Sequence, residues 1–194
     1  MGKHSKQNLP QADDLQQELK RERYKRRFRK LLRNTVNVLI VVAAVAVLVA
    51  TLILPALQIA GASMEPTLND GDIVLLVKKK ELQTGDLCAF YYSNKILIKR
   101  VIATPGDYIQ IEADGTVILN GEVLDEPYID KKALGECDVT FPYQVPENNY
   151  FVMGDKREIS IDSRSSVVGC VPEDQIVGKI FCKFWPLTEF EFID

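Results

Sequence analysis

The run Val36-Asn-Val-Leu-Ile-Val-Val-Ala-Ala-Val-Ala-Val-Leu-Val-Ala-Thr-Leu-Ile-Leu-Pro-Ala-Leu57 decides how the chain is divided. Only Asn37, Thr51 and Pro55 interrupt its apolar character. At 1.5 Å per residue a helix of this length covers about 33 Å, enough to cross a hydrocarbon layer of about 30 Å. Valine, alanine, leucine and isoleucine surround the helix evenly, so it has no polar face to lie on a surface. The apolar core of a cleavable leader is shorter, about 7–15 residues. The run therefore reads as a single uncleaved transmembrane helix over residues 35–57.

Charge is distributed unequally on either side. Residues 1–33 hold 11 of the 24 lysines and arginines and four acids, a net +7, whereas residues 34–194 carry a net −10. No charged residue occurs between 34 and 64. The basic cluster from Lys20 to Arg33 predicts a cytoplasmic N-terminus, with everything after the span outside the cell membrane. Beside a membrane span such a cluster is a topology signal that also touches anionic headgroups of the lipid bilayer, so no nucleic-acid partner is expected. Residues 1–34 are expected to form a flexible or partly helical tail.

Beyond the span the pattern changes to period two. Asp72-Ile-Val-Leu-Leu-Val77, Leu87-Cys-Ala-Phe-Tyr-Tyr92, Ile96-Leu-Ile-Lys-Arg-Val-Ile-Ala103, Tyr108-Ile-Gln-Ile111, Thr116-Val-Ile-Leu119, Tyr150-Phe-Val-Met153 and Gly178-Lys-Ile-Phe-Cys-Lys-Phe184 read as strands. Turn signals separate them, with Ser93-Asn94-Lys95 joining two strands as a hairpin and Asn120-Gly121 marking a tight turn. The expected fold is mainly β: an antiparallel barrel- or sandwich-like domain over residues 58–194, preceded by the single transmembrane helix. The four cysteines, Cys88, Cys137, Cys170 and Cys182, lack close metal or redox spacing and read as buried thiols.

Gly61-Ala-Ser-Met-Glu-Pro-Thr-Leu68 lies just past the span. Small residues precede Ser63 and Pro66 stiffens the chain after it, which suits an exposed hydroxyl on a rigid loop. The only histidine, His4, is in the tail, so a Ser-His-Asp triad within the chain and any histidine-bound zinc are ruled out. A base for Ser63 must then be Lys, Asp, Glu or Tyr. Lys99, on the most apolar strand, is the best candidate, because burial can lower a lysine pKa by roughly 3–5 units from about 10.4. The three adjacent lysines Lys78, Lys79 and Lys80 read as a solvated strand end. Gly154-Asp-Lys-Arg-Glu-Ile-Ser-Ile-Asp-Ser-Arg164 is a polar loop with a hydroxyl that could orient an amine and with acid–guanidinium pairs that could brace it.

Ser63-Met-Glu-Pro-Thr-Leu68, Lys99-Arg-Val-Ile-Ala-Thr-Pro-Gly-Asp107 and Gly154-Asp155 with Ser160-Ile-Asp-Ser-Arg164 resemble, in order and spacing, the motifs of type I signal peptidases. The resemblance covers the span and residues 55–184. It implies a membrane-anchored serine endopeptidase that removes signal peptides from exported preproteins and needs no cofactor or metal. It further implies that Ser63 is the nucleophile and Lys99 the general base. Ser160 would hold the Lys99 amine, and Asp155, Asp162 and Arg164 would brace the site. Substrates would be extended strands with small residues of Ala-X-Ala type in shallow pockets, for which Met64 and Ile98 are the expected wall residues.

This sequence departs from the family pattern at Gly61, where some members carry an oxyanion-binding serine, and at Lys156, where asparagine is usual. With Gly61, the oxyanion site would rest on the Ser63 backbone N–H. Alternatives are a silent anchored β module that binds exported proteins and a self-cleaving Ser/Lys repressor-type protease. The first has no need of Ser63, Lys99 and Ser160 together, and the second needs a DNA-binding domain that residues 1–34 do not supply. Ala60-Gly61-Ala62 is itself of Ala-X-Ala form, yet this segment is expected to be held against its own domain and left uncut.

Overall fold

Pro55 sets the limit of the helix. The computed structural model describes residues 12–53, 55–78 and 81–193, so His4, Lys79 and Lys80 lie outside the described residues. Helix α1 spans Ala12–Ile53. Its apolar part contains the only helix stretch among the described residues that is long and apolar enough to cross a membrane, with a mean hydropathy of 2.1. The helix starts well inside the basic tail. There Glu22 and Lys25 pair at 3.5 Å and the rings of Tyr24 and Phe28 stack at 6.5 Å, both contacts between residues three or four apart on one face.

The expected span of residues 35–57 is too long at its C-terminal end. Ala56–Gln58 form β1, and Ala56 and Leu57 pair with Leu75 and Val74. Proline has no N–H to continue a helix and pushes the residue before it out of the helical region. The last apolar residues of the run therefore belong to the β domain.

That domain is built from antiparallel strands. β2 (Ile73–Val77), β3 (Leu87–Tyr92), β4 (Lys95–Ala103), β5 (Tyr108–Ile111) and β6 (Val117–Leu119) follow in order. They are succeeded by β7 (Glu122–Val123), β8 (Tyr143–Gln144), β9 (Asn149–Met153), β10 (Val171–Pro172), β11 (Ile176–Trp185) and β12 (Glu191–Phe192). The larger sheet runs β1-β2-β11-β3-β4-β9-β10, with β12 also paired to β11, and the smaller runs β7-β6-β5-β8. Both expected hairpins form, but Lys95, expected in the first turn, pairs with Tyr92 as the start of β4 and leaves Ser93-Asn94 as the loop, while Leu119 pairs with Glu122 across Asn120-Gly121. Positive φ values of 52° at Asn120 and 88° at Gly121 give that second turn the twist a two-residue hairpin needs.

Alternation in β2 buries Val74 and Leu76 against Ile59, Met64, Leu68, Leu87, Ala89 and Ile180, so this part of the core includes Met64, the residue after Ser63. A second cluster around Phe90, Val101 and Val152 fills the middle of the larger sheet, and a third joins Ile102 and Phe151 to Ile109 and Val117 of the smaller one. Cys88 and Cys182 are buried thiols as expected, whereas Cys137 and Cys170 are half-buried; all four are free. The latter two lie in irregular chain between strands, with Cys170 packed against the edge of the third cluster.

Candidate active site

Ser63 is held by contacts on both sides of its loop. Ile59 N–H donates to Asp72 O at 2.8 Å, and Gly71 N–H donates to Ile59 O at 3.0 Å. The Gly61 N–H donates to Asp70 Oδ1 at 2.7 Å, and its φ of 97° turns the chain in a way that favours glycine. After Ser63 the chain closes into a turn in which Leu68 N–H reaches Met64 O at 2.9 Å. The side chains of Ile59 before the serine and of Met64 and Leu68 after it are sunk in the core, so the segment that carries Ser63 is anchored at both ends.

Lys99 comes from β4, paired with Cys88 of β3. Only 4% of it is exposed. Its Nζ stands 2.9 Å from Ser63 Oγ and 2.9 Å from Ser160 Oγ. Burial lowers its pKa from the ordinary lysine value, against a smaller upward pull from the Asp162 carboxylate; Arg164 adds to the lowering.

Ser160 is brought in by a tight turn, with its N–H donating to Lys156 O at 3.2 Å and the Lys156 N–H to Ser63 O at 3.1 Å. The loop that carries Ser160 is thus hydrogen-bonded to the serine loop it faces. Asp162 Oδ2 accepts the Gly154 N–H at 2.9 Å, and Oδ1 accepts Arg164 Nε–H at 2.8 Å. The Arg164 guanidinium also donates to Leu134 O, Arg157 O and Ser160 O. Asp155 accepts two hydrogen bonds from Arg100, at 2.8 and 2.6 Å, and one from Thr67 Oγ1 at 2.5 Å. All of Asp155, Asp162 and Arg164 are buried, so these paired charges hold the loop from within the domain.

Met64 and Ile98 line one groove of about 100 Å³ together with Ser63, Lys99, Ile59 and Ala60. Its walls are strand edges. β1 ends the larger sheet, and β9 pairs with β4 only from Arg100 onward, so before Arg100 the edge of β4 away from β3 has no strand partner among the described residues. A larger hollow of about 390 Å³, between Asn148 and Asp174, contains neither Ser63 nor Lys99. Among the described residues no three His, Cys, Asp or Glu side chains converge in a way that could hold a metal ion.

The expected site residues are therefore brought together, and several others join them. Arg100 ties Asp155 to Gly85 O and lies over the Tyr128 ring at 3.9 Å. Arg157 is fully buried and donates to Glu126 at 2.5 Å, fastening residues before the third motif to its loop. Lys156 pairs with Glu65, a contact between the two loops that flank Lys99. An arginine on an apolar strand, as at Arg100, signals a buried partner. Nothing in the pattern around Glu126 signals one.

The profile described as "Signal peptidase, peptidase S26" matches residues 32–185, which includes all three loops of the site. The chain belongs to the S26 signal peptidase family. It is 37% identical over 161 residues to signal peptidase IB of Staphylococcus aureus (strain MRSA252), covering 72% of this chain and 82% of that one. Signal peptidase I T of Bacillus subtilis (strain 168) is 38% identical over 144 residues, 68% of this chain and 74% of its own. A crystal structure of a signal peptidase I from Enterococcus faecalis is 29% identical and covers 51% of this chain and 96% of that one, with a TM-score of 0.44. Membership makes this S26 chain a type I signal peptidase, a serine hydrolase.

Proposed function

We propose that the chain is a membrane-anchored endopeptidase that cuts signal peptides from exported preproteins with a Ser63–Lys99 dyad. The observation that carries this reading is the buried Lys99 amine, 2.9 Å from both the Ser63 and the Ser160 hydroxyls. An ordinary lysine is neutral in only about one molecule in a few thousand at pH 7. Burial lowers the pKa of Lys99 and raises that fraction, giving an amine that can accept a proton.

Ser63 Oγ attacks the scissile carbonyl as its proton passes to Lys99 Nζ, and Ser160 keeps the amine's lone pair on line. The Ser63 N–H donates to no protein acceptor among the described residues, which leaves it available to the oxyanion. Collapse of the tetrahedral intermediate moves the proton from Lys99 to the departing amine. A water deprotonated by the same Lys99 then hydrolyses the acyl-serine and restores the hydroxyl. Asp155, Asp162 and Arg164 act by holding the loop, not by touching substrate.

The substrate is an extended chain that adds to the unpaired edges beside the groove, as peptides add to open sheets elsewhere. The groove walled by Met64 and Ile98 offers apolar surface on which small side chains of the substrate can pack beside Ser63. The apolar part of α1 is the anchor, and the basic residues before it place the N-terminus in the cytoplasm and residues 58–194 outside.

Cleavage of a model preprotein in detergent micelles tests the reading. The unaltered enzyme should release the signal peptide, whereas Ser63→Ala and Lys99→Ala should show no cleavage above background. Full activity in either variant would overturn it.

A further inference from the structure

A second hollow, of about 180 Å³, opens beside the serine loop and is lined by Glu65, Asp130, Lys131, Lys156 and Glu158, with Asp155 and Arg157 at its floor. It shares no lining residue with the groove before Ser63. The two are neighbours nonetheless. Ser63 and Met64 line one and Glu65 the other, and the Lys156 N–H donates to Ser63 O between them at 3.1 Å.

Chemistry gives the two hollows different tasks, on the reading of Ser63 and Lys99 proposed above. The acyl half of the substrate stays bonded to Ser63 Oγ and fills the groove. The amine half must start within reach of Lys99 Nζ, which protonates it, and must leave on another side. Lys99 Nζ touches Ser160, and the same loop, through Asp155 to Glu158 just before it, walls the second hollow.

The charges in this hollow do not cancel. Buried Asp155 is paired with Arg100 and buried Arg157 with Glu126. At the rim Glu65 is paired with Lys156, and Glu158 with Lys131. Asp130 is exposed and has no hydrogen bond or ion pair among the described residues, so it leaves one negative charge unmatched.

We infer that this hollow is the subsite for the first residues of the released chain, and that Asp130 makes it favour a basic side chain there over an acidic one. The ligand is the peptide segment just beyond the scissile bond, recognised by charge while the signal-peptide side is recognised by shape.

Model preproteins that share one signal peptide and carry Lys, Gln or Glu at each of the first four positions after the cut test this. At one or more of these positions the wild-type enzyme should give kcat/KM in the order Lys, Gln, Glu. The spread between Lys and Glu should be about two- to five-fold, the size of an exposed charge pair, and should narrow with added salt. Asp130→Asn should bring the Lys-to-Glu ratio close to one, and Asp130→Lys should invert it. Equal rates for all three substrates at every position would overturn the inference while leaving the dyad intact. So would a preference that survives both Asp130 substitutions. A wild-type enzyme that cuts none of the substrates would instead overturn the dyad reading on which the subsite rests.

Discussion

Gly154 approaches Ser160 so closely that a Cβ built on it would lie 2.2 Å from Ser160 Oγ and 2.6 Å from Ser63 O. No side chain fits there without displacing one of the two loops that meet at Lys99. Gly154→Ala should therefore lower kcat by about 100-fold, the cost of moving reacting groups by roughly an ångström. It should also lose about 1–3 kcal/mol of stability to overpacking. Cleavage assays beside thermal melts check this; an active and equally stable Gly154→Ala enzyme would show that the contact yields easily.

Lys99 should separate activity from stability. Lys99→Arg keeps the charge but not the ability to lose it, since a guanidinium pKa lies above about 12, and should be inactive. Lys99→Met should be equally inactive, yet should melt no lower than the parent, because it removes a desolvated amine and fills similar space. Cleavage by Lys99→Arg at a tenth or more of the parental rate would contradict the assignment of the base.

The pH dependence follows from the lowered Lys99 pKa. In the proposed dyad only a neutral amine could accept the serine proton, so kcat/KM should rise with pH along an acid limb centred below the ordinary lysine value of 10.5. Stability should move in the same direction. Between the depressed native pKa and the unfolded value the unfolded chain binds more protons, so stability rises with pH there, by at most about 1.4 kcal/mol per pH unit from this residue. In Lys99→Met that contribution to the slope should vanish, which urea titrations at several pH values can measure.

Breaking the Arg100–Asp155 pair should cost more than either charge alone suggests. Both side chains are at most 7% exposed, and removing one leaves the other buried without a counter-charge. Asp155→Ala should lose about 3–5 kcal/mol. Arg100→Lys should recover only part of the difference from Arg100→Ala, since a single ammonium cannot reproduce the two-pronged contact. Denaturant melts of the three variants would decide it, and an Asp155→Ala protein of near-parental stability would contradict the pairing.

Thiol reagents should find the cysteines in an order set by burial. Cys88 is fully enclosed and its thiol is pushed up to about 12, chiefly by that burial, so it should react only on unfolding. Cys137, half-buried, should be modified first in the native protein. Mass mapping after brief alkylation gives the order, and early labelling of Cys88 would mean that β3 opens locally.

How much could be read beforehand depended on how far each signal extends along the chain. β2, which carries Val74, alternates over its five residues, and β4, which carries Lys99, is a nine-residue run buried continuously from Lys99 onward, so both were legible as strands. β7, β8, β10 and β12 have two residues each, too few for any period to appear. The end of the apolar run was misread because Ala56 and Leu57 are as apolar as the helix before them; only the geometry of Pro55 separates the two. Ser63, Lys99 and Ser160 were legible through the order of their motifs. Glu126 was not, because its pair with Arg157 joins residues 31 apart and leaves no local pattern. Lys156 stood out as an irregularity, but its partner Glu65 was visible only once the two loops had been brought together.

The larger sheet places β2, β11 and β3 between β1 and β4, and yet residues adjoining β1 and residues of β4 line the same groove. On the reading proposed above, the gap between them is a missing stave that an extended substrate would supply. Such a vacancy is filled through peptide groups that every polypeptide possesses, with side chains vetted only for bulk. One scissors can then serve a whole population of unrelated clients, and a client is released when its new terminus no longer spans the gap. The same opening would admit any stray extended segment, and its first neighbour is the stretch around Ala60. That stretch is fastened to Asp70 and Asp72, and on the same reading these bonds would keep the blade from its own handle.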